Sequence, residues 1–182
     1  MLYLLVALWA AYVFWKGLTG RIGVEPIDTL LRAYGERGFQ LLLAGLAISP
    51  LRKLTGVSLL HLRRAVGLSA FFLLFAHLLV FWLLDLRSLS RLGVDIAERP
   101  YITLGMAGFV LLIPLALTSS DWAIRKLGPK WGLLQRAVYP AAVLGWLHYD
   151  MQIRGFAIES VIYGLILLLL LLARLFKLPK VL

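Results

Sequence analysis

Cysteine is absent from all 182 residues. That excludes disulfides, iron–sulfur clusters, covalent haem attachment and thiolate metal ligands. Charge is scarce as well, at 15% of the chain, and acidic charge scarcer still: nine Asp and Glu stand against nineteen Lys and Arg. Soluble domains run nearer 25% charged. Only three histidines occur, so a bound metal would rest on these or on carboxylates. They lie too far apart in sequence for any metal-pair spacing, and no hydrolase motif or phosphate loop is present. Basic residues are not interleaved with aromatics on one face, which removes the case for nucleic acid.

What the chain has in excess is apolar surface. Hydrophobic residues make up 62% of it, where soluble domains hold about 45–50%. A chain this short cannot hide such a surplus from solvent, so the solvent must be lipid. Crossing ~30 Å of hydrocarbon takes roughly 20 residues of helix. Six runs approach that length: Leu2–Leu18, Phe39–Leu51, Val66–Leu84, Tyr101–Thr118, Leu133–Met151 and Phe156–Leu175. The expectation is an all-α membrane protein, a bundle of about six transmembrane helices forming one domain over residues 1–182. Phe39–Leu51 is the shortest run and needs polar flanks such as Gln40 to span. Leu2–Phe14 has no basic residues before it and no small-residue cleavage site after it, so it reads as a retained helix rather than a signal peptide. Glycines and prolines punctuate the intervals, at Gly20, Gly23, Pro26, Gly56, Pro100 and Gly128–Pro129. No sequence repeat stands out.

Six spans put both termini on one side. Eleven of the nineteen Lys and Arg fall on that side and eight on the other, which places the termini in the cytoplasm. The net charge of +10 then belongs to loops held at an anionic leaflet.

Ionisable residues inside a span are costly and usually functional. Two sit deep, His77 in the third run and His148 near the end of the fifth. Either alone could be a hydrogen-bonded link between helices. Their depths agree, however: at 1.5 Å per residue His77 lies roughly 20 Å above Arg64, and His148 roughly 18 Å above Arg136. Matched depth on two parallel spans is what the axial ligands of one b-type haem require. Ala141, Gly145 and His148 share one helix face, as do Arg63, Ala70 and His77, and small residues there suit a flat cofactor or close helix packing equally. Arg63 and Arg64 read as topology anchors whose guanidinium groups could also pair with haem propionates. His61 reads as part of a solvated basic loop, and Trp131 and Trp146 as an interfacial belt.

A succession of short motifs carries a resemblance. GVEP at Gly23–Pro26 is followed by ISPL at Ile48–Leu51, RRAVGL at Arg63–Leu68, RPYITLG at Arg99–Gly105, LALTS at Leu115–Ser119, LGPKW at Leu127–Trp131 and LHY at Leu147–Tyr149. In this order they resemble the MsrQ family, the haem-containing membrane subunits of bacterial periplasmic methionine sulfoxide reductase systems, within the ferric-reductase-like transmembrane superfamily. The resemblance implies an inner-membrane haem bundle, the electron-transfer subunit of an oxidoreductase system. It would take electrons from quinol and deliver them to a periplasmic molybdopterin-containing reductase subunit. It admits FMN as a second cofactor. The family's histidine positions map onto His77 and His148, while Gln135 stands where a further histidine is usual, opposite Arg63. Gln is a poor haem ligand, so one haem near the outer leaflet is expected, with a second on the cytoplasmic side only if it binds weakly with an open position or if His61 turns inward to replace the missing ligand. Two other readings remain: a membrane reductase of another acceptor such as ferric iron, or a haem-free anchor or assembly factor whose histidines only pack helices.

Overall fold

Proline at the first helical position costs no hydrogen bond, because that N–H has no partner in any case. Three helices begin this way, at Pro26, Pro100 and Pro129. The computed structural model describes residues 1–85, 99–153 and 157–175, and among these every regular element is helical. In order they are α1 (Leu2–Leu18), α2 (Pro26–Thr55), α3 (Arg63–Val80), α4 (Pro100–Leu117), α5 (Asp121–Leu127), α6 (Pro129–Leu134), α7 (Val138–Gln152) and α8 (Ile158–Leu175). A 3-10 turn, Leu60–Leu62, leads into α3 and a π-helical turn, Phe81–Asp85, leaves it. Gln135–Ala137 forms a 3-10 link between α6 and α7. The cause of that link is Pro140, which has no N–H to offer the carbonyl four residues back at Arg136.

The second span is the main departure from the sequence reading. The run Phe39–Leu51 is only the inner part of α2, which has 30 residues and is about 45 Å long. Arg32, Glu36 and Arg37 interrupt the hydropathy but not the helix. The Tyr163 hydroxyl of α8 donates to Glu36 Oε1 (2.9 Å), Gln40 Nε2 donates to the same oxygen (3.0 Å), and Arg37 Nη1 donates to Gln40 Oε1 (2.7 Å). Glu36, Arg37 and Gln40 thereby find partners within the bundle, as a chain in lipid must arrange. Tyr163→Phe removes both links in this group that cross between helices, the bond to Glu36 and the one its hydroxyl accepts from Gln40 Nε2. It is expected to cost about 0.6–1.5 kcal/mol, read as a fall in melting temperature in detergent with the fold retained; an unchanged melt would show that α8 does not depend on Glu36.

The other end of α2 solves a second backbone problem. Pro50 lies inside the helix and leaves the Leu46 carbonyl without its usual N–H. Arg174 of α8 supplies the missing donor, with Nη2 3.1 Å from that oxygen and its guanidinium 5.7 Å from the centre of the Tyr139 ring. Gly56, at φ 75°, then ends α2 by bonding its N–H to the Arg52 carbonyl, a left-handed cap that glycine adopts without strain.

Two buried clusters hold the bundle together. One joins Val13 of α1 to Leu30, Leu31 and Tyr34 of α2 and Leu73 of α3. The other joins Phe39, Leu42 and Leu46 of α2 to Ala70, Leu112, Ala141, Ala142 and Leu167 of α3, α4, α7 and α8. The most extensive helix pairings are α2 with α3 and α4 with α7. Outside, Leu4, Leu8, Phe72, Val110, Leu165 and Leu169 are exposed, an apolar exterior suited to lipid. Of the expected sixth run, α8 takes up Ile158–Leu175, and Phe156 lies outside the described residues.

Candidate cofactor site

His77 and His148 come together at one end of the bundle, from α3 and α7, with ring centroids 6.0 Å apart and planes 83° from parallel. His77 Nδ1 lies 2.8 Å from the Leu31 carbonyl of α2, and His148 Nδ1 lies 2.7 Å from the Tyr101 carbonyl of α4. A carbonyl can only accept, so each Nδ1 carries the proton and donates it. Nε2 is then the nitrogen with a free lone pair on both rings. That is the state in which a histidine ligates a metal, with its second nitrogen held by an outer partner.

The rings line a cavity of about 350 Å³. Its walls are apolar at Leu74, Phe81, Ile102 and Phe109, and its flattest parts are Gly35, Gly105, Gly108, Ala141 and Gly145. The small residues Ala141 and Gly145 therefore open the same space that His148 faces. Asp28, Arg32, Glu36, Asp85 and Arg99 also line it, most of them at the N-terminal ends of α2 and α4 or just beyond α3. Among the described residues no group of three or more His, Asp or Glu side chains gathers into a metal site made of protein ligands alone. The donor set on offer is two imidazoles. This fits a planar macrocycle that brings four ligands of its own and needs one more on each face. Two metal–imidazole bonds of about 2 Å, plus the half-width of each ring, give a centroid separation close to the one observed.

Residues 34–146 match the family described as ferric reductase like transmembrane component, a stretch running from α2 into α7. Over 167 residues, 91% of this chain, it is 41% identical to the protein-methionine-sulfoxide reductase heme-binding subunit MsrQ of Brucella ovis, covering 76% of that protein. The proteins of the same description from Brucella canis and Brucella suis match to the same extent. The chain belongs to the MsrQ family. No solved structure matches it. As an MsrQ-family chain of helices with a lipid-suited exterior, it is an all-α membrane protein.

Within this MsrQ-family chain, the other polar and aromatic residues singled out from sequence lie elsewhere. Arg63 and Arg64 begin α3, fourteen and thirteen residues before His77, roughly 20 Å away along the helix. Both are exposed, Arg64 pairs with Asp121 at 2.7 Å, and neither lines the cavity. Among the described residues the cations that line it are Arg32 and Arg99, which fell in sequence stretches without hydrophobic periodicity. Gln135 is also outside the cavity. Its amide donates to the Leu115 carbonyl and to Thr118 Oγ1, both at 3.3 Å, at the end of α4 where helix carbonyls lack partners. His61 is exposed in the turn before α3. The indoles of Trp131 and Trp146 do not simply face an interface. Trp131 Nε1 donates to the Thr118 carbonyl (2.9 Å) and Trp146 Nε1 to the Ser160 carbonyl of α8 (3.0 Å), so both fasten one element to another. Sequence reading also passed over Gly35 and Gly105, against which the two imidazoles lie. The available signal was a pair of glycines three apart on each helix, Gly35 with Gly38 and Gly105 with Gly108.

Proposed function

We propose that this chain holds one b-type haem between His77 and His148 and passes electrons through it. The donor is membrane quinol, and the acceptor a periplasmic molybdopterin-containing methionine sulfoxide reductase subunit. The observation that carries the reading is the histidine pair itself: two imidazoles 6.0 Å apart, each with Nδ1 tied to a helix carbonyl. Haem, when bound, supplies the one-electron redox chemistry. The chain's own residues ligate, orient and seal. His77 and His148 present Nε2, Leu74, Phe81 and Phe109 exclude water, and Arg32 and Arg99 are the lining cations suited to pair with propionates. Gln135 is committed to the end of α4, so the stoichiometry proposed is one haem per chain.

Helix direction supports the placement of the haem. The start of α1 and the last described turn of α8, where Arg174 meets the Leu46 carbonyl, lie at the opposite end of the bundle from the histidines, so cytoplasmic termini put the haem toward the periplasmic face of the inner membrane, near its acceptor. Three measurements test the proposal. Purified protein shows a low-spin haem spectrum with about one haem per chain. A quinol analogue reduces that haem, and the periplasmic partner reoxidises it in the presence of methionine sulfoxide. A reporter active only in the periplasm stays silent when fused after Leu182. A colourless protein would leave the histidines as packing links, and reduction of ferric chelates at the same rate without the partner would favour a reductase of another acceptor. A bright reporter would reverse the orientation.

A further inference from the structure

A carbonyl inside a helix is normally closed to outsiders. One lone pair takes the N–H four residues on, and the side chain of that later residue leans back toward the helix N-terminus and covers the other. A long or angled side chain can still come in past that cover, as Tyr34 does at the Ala10 carbonyl and Arg174 at Leu46, but a flat ring lying against the helix reaches the oxygen where the later residue has no side chain. Among the described residues three rings do so. His77 Nδ1 reaches Leu31, four residues before Gly35, and His148 Nδ1 reaches Tyr101, four before Gly105. Trp146 Nε1 reaches Ser160, four before Gly164. A Cβ added at these glycines would stand 2.9, 2.7 and 2.9 Å from the donating nitrogen itself, closer than the hydrogen bond could survive unchanged. All three glycines have negative φ, since the positive-φ glycines are Gly20, Gly23, Gly56 and Gly128. Their value is therefore the missing side chain and not backbone freedom.

We infer that Gly35 and Gly105 are the positioning residues for the two haem ligands, an inference that rests on the haem reading above. By uncovering the Leu31 and Tyr101 carbonyls they fix the tautomer of His77 and His148 and set the rotation of each ring. The hydrogen bond from Nδ1 also makes Nε2 a stronger donor, which favours ferric over ferrous iron. The near-perpendicular planes of the two rings follow from which carbonyl each is bound to. The sequence separations are nearly equal, 46 residues from Leu31 to His77 and 47 from Tyr101 to His148. The device is thus built twice, once on the α2–α3 pair and once on α4–α7.

The test compares Gly35→Ala and Gly105→Ala with two alanine variants that crowd their neighbours equally but touch no ligand. In Gly38→Ala the new Cβ lies 2.8 Å from Leu74 on the same helix pair, and in Gly164→Ala it lies 2.8 Å from Trp146. Three quantities are read on membrane-extracted protein: the haem midpoint potential, the g-anisotropy of the low-spin electron paramagnetic resonance signal, and the rate of haem transfer to apomyoglobin. Gly35→Ala and Gly105→Ala should raise the potential, alter the g-anisotropy as a ring turns, and speed haem loss about ten-fold or more. Gly38→Ala and Gly164→Ala should lower the melting temperature and leave the potential and the g-values as in the parent. Equal potential shifts in all four variants would reduce the two glycines to packing and overturn the inference. So would parent-like spectra in Gly35→Ala and Gly105→Ala when His77→Ala has lost its haem. A parent without haem would instead sink the functional reading. If an alanine variant fails to accumulate, the parent itself answers. Both Nδ1 protons, seen as hyperfine-shifted resonances, should persist in heavy water, and rapid loss of either would overturn the assignment.

Discussion

His77→Ala and His148→Ala each lower bound low-spin haem at least about ten-fold while the chain continues to insert into the membrane. Each substitution removes one of two axial donors and leaves iron open on one face, and no thiolate is available to replace it, since the chain has no cysteine. Substitution by the third histidine is ruled out by position, because His61 sits exposed in the turn before α3. The loss is larger than packing alone would give. The deleted ring also carries the hydrogen bond to Leu31 or Tyr101, so the helix contact loosens together with the ligand. Insertion persists because the apolar exterior of α3 and α7 is unchanged. The measurement is a pyridine haemochrome assay per mole of chain, alongside the amount of protein in the membrane fraction. Unchanged haem in both variants would overturn the assignment of these residues.

Gly38→Val is the substitution expected to damage the fold most. A Cβ at Gly38 would lie 2.8 Å from Cγ and Cδ2 of Leu74 and 3.2 Å from the Leu74 backbone nitrogen. At this point α2 and α3 approach almost backbone to backbone, and valine adds two further methyl groups. Overpacking of this kind costs about 1–3 kcal/mol, and here the strain has a direction. Leu74 precedes His77 by one turn of α3, so pushing the helices apart draws His77 away from the Leu31 carbonyl and from His148. The expected result is a fall of several degrees in melting temperature in detergent together with loss of haem. Gly38→Ala should show only the first effect. A Gly38→Val protein that melts with the parent would show that the α2–α3 approach is looser than the structure gives.

Composition and run length determined the broad architecture. An apolar surplus this large, spaced in helix-length runs with prolines and glycines between them, has one stable solution in lipid, where every backbone N–H must be satisfied within its own helix. Matched depth singled out His77 and His148 for the same reason, because helical rise converts sequence number directly into height. Both are one-dimensional quantities. Lateral neighbours are not, and they belong to the tertiary structure. Hydropathy cut α2 short at Phe39, because Arg32, Glu36 and Arg37 read as a loop until Tyr163, 123 residues beyond Gln40 in sequence, is seen to complete the hydrogen bonds of Glu36 and Gln40. Arg63 and Arg64 share the chain segment of His77 but lie two-thirds of a membrane thickness from it. Arg32 and Arg99, on other helices, line the cavity instead. The glycines beside the two imidazoles were equally silent. A glycine within a helix registers in sequence as a weak helix former, and only the neighbouring helix shows that its missing side chain leaves a carbonyl open to a histidine.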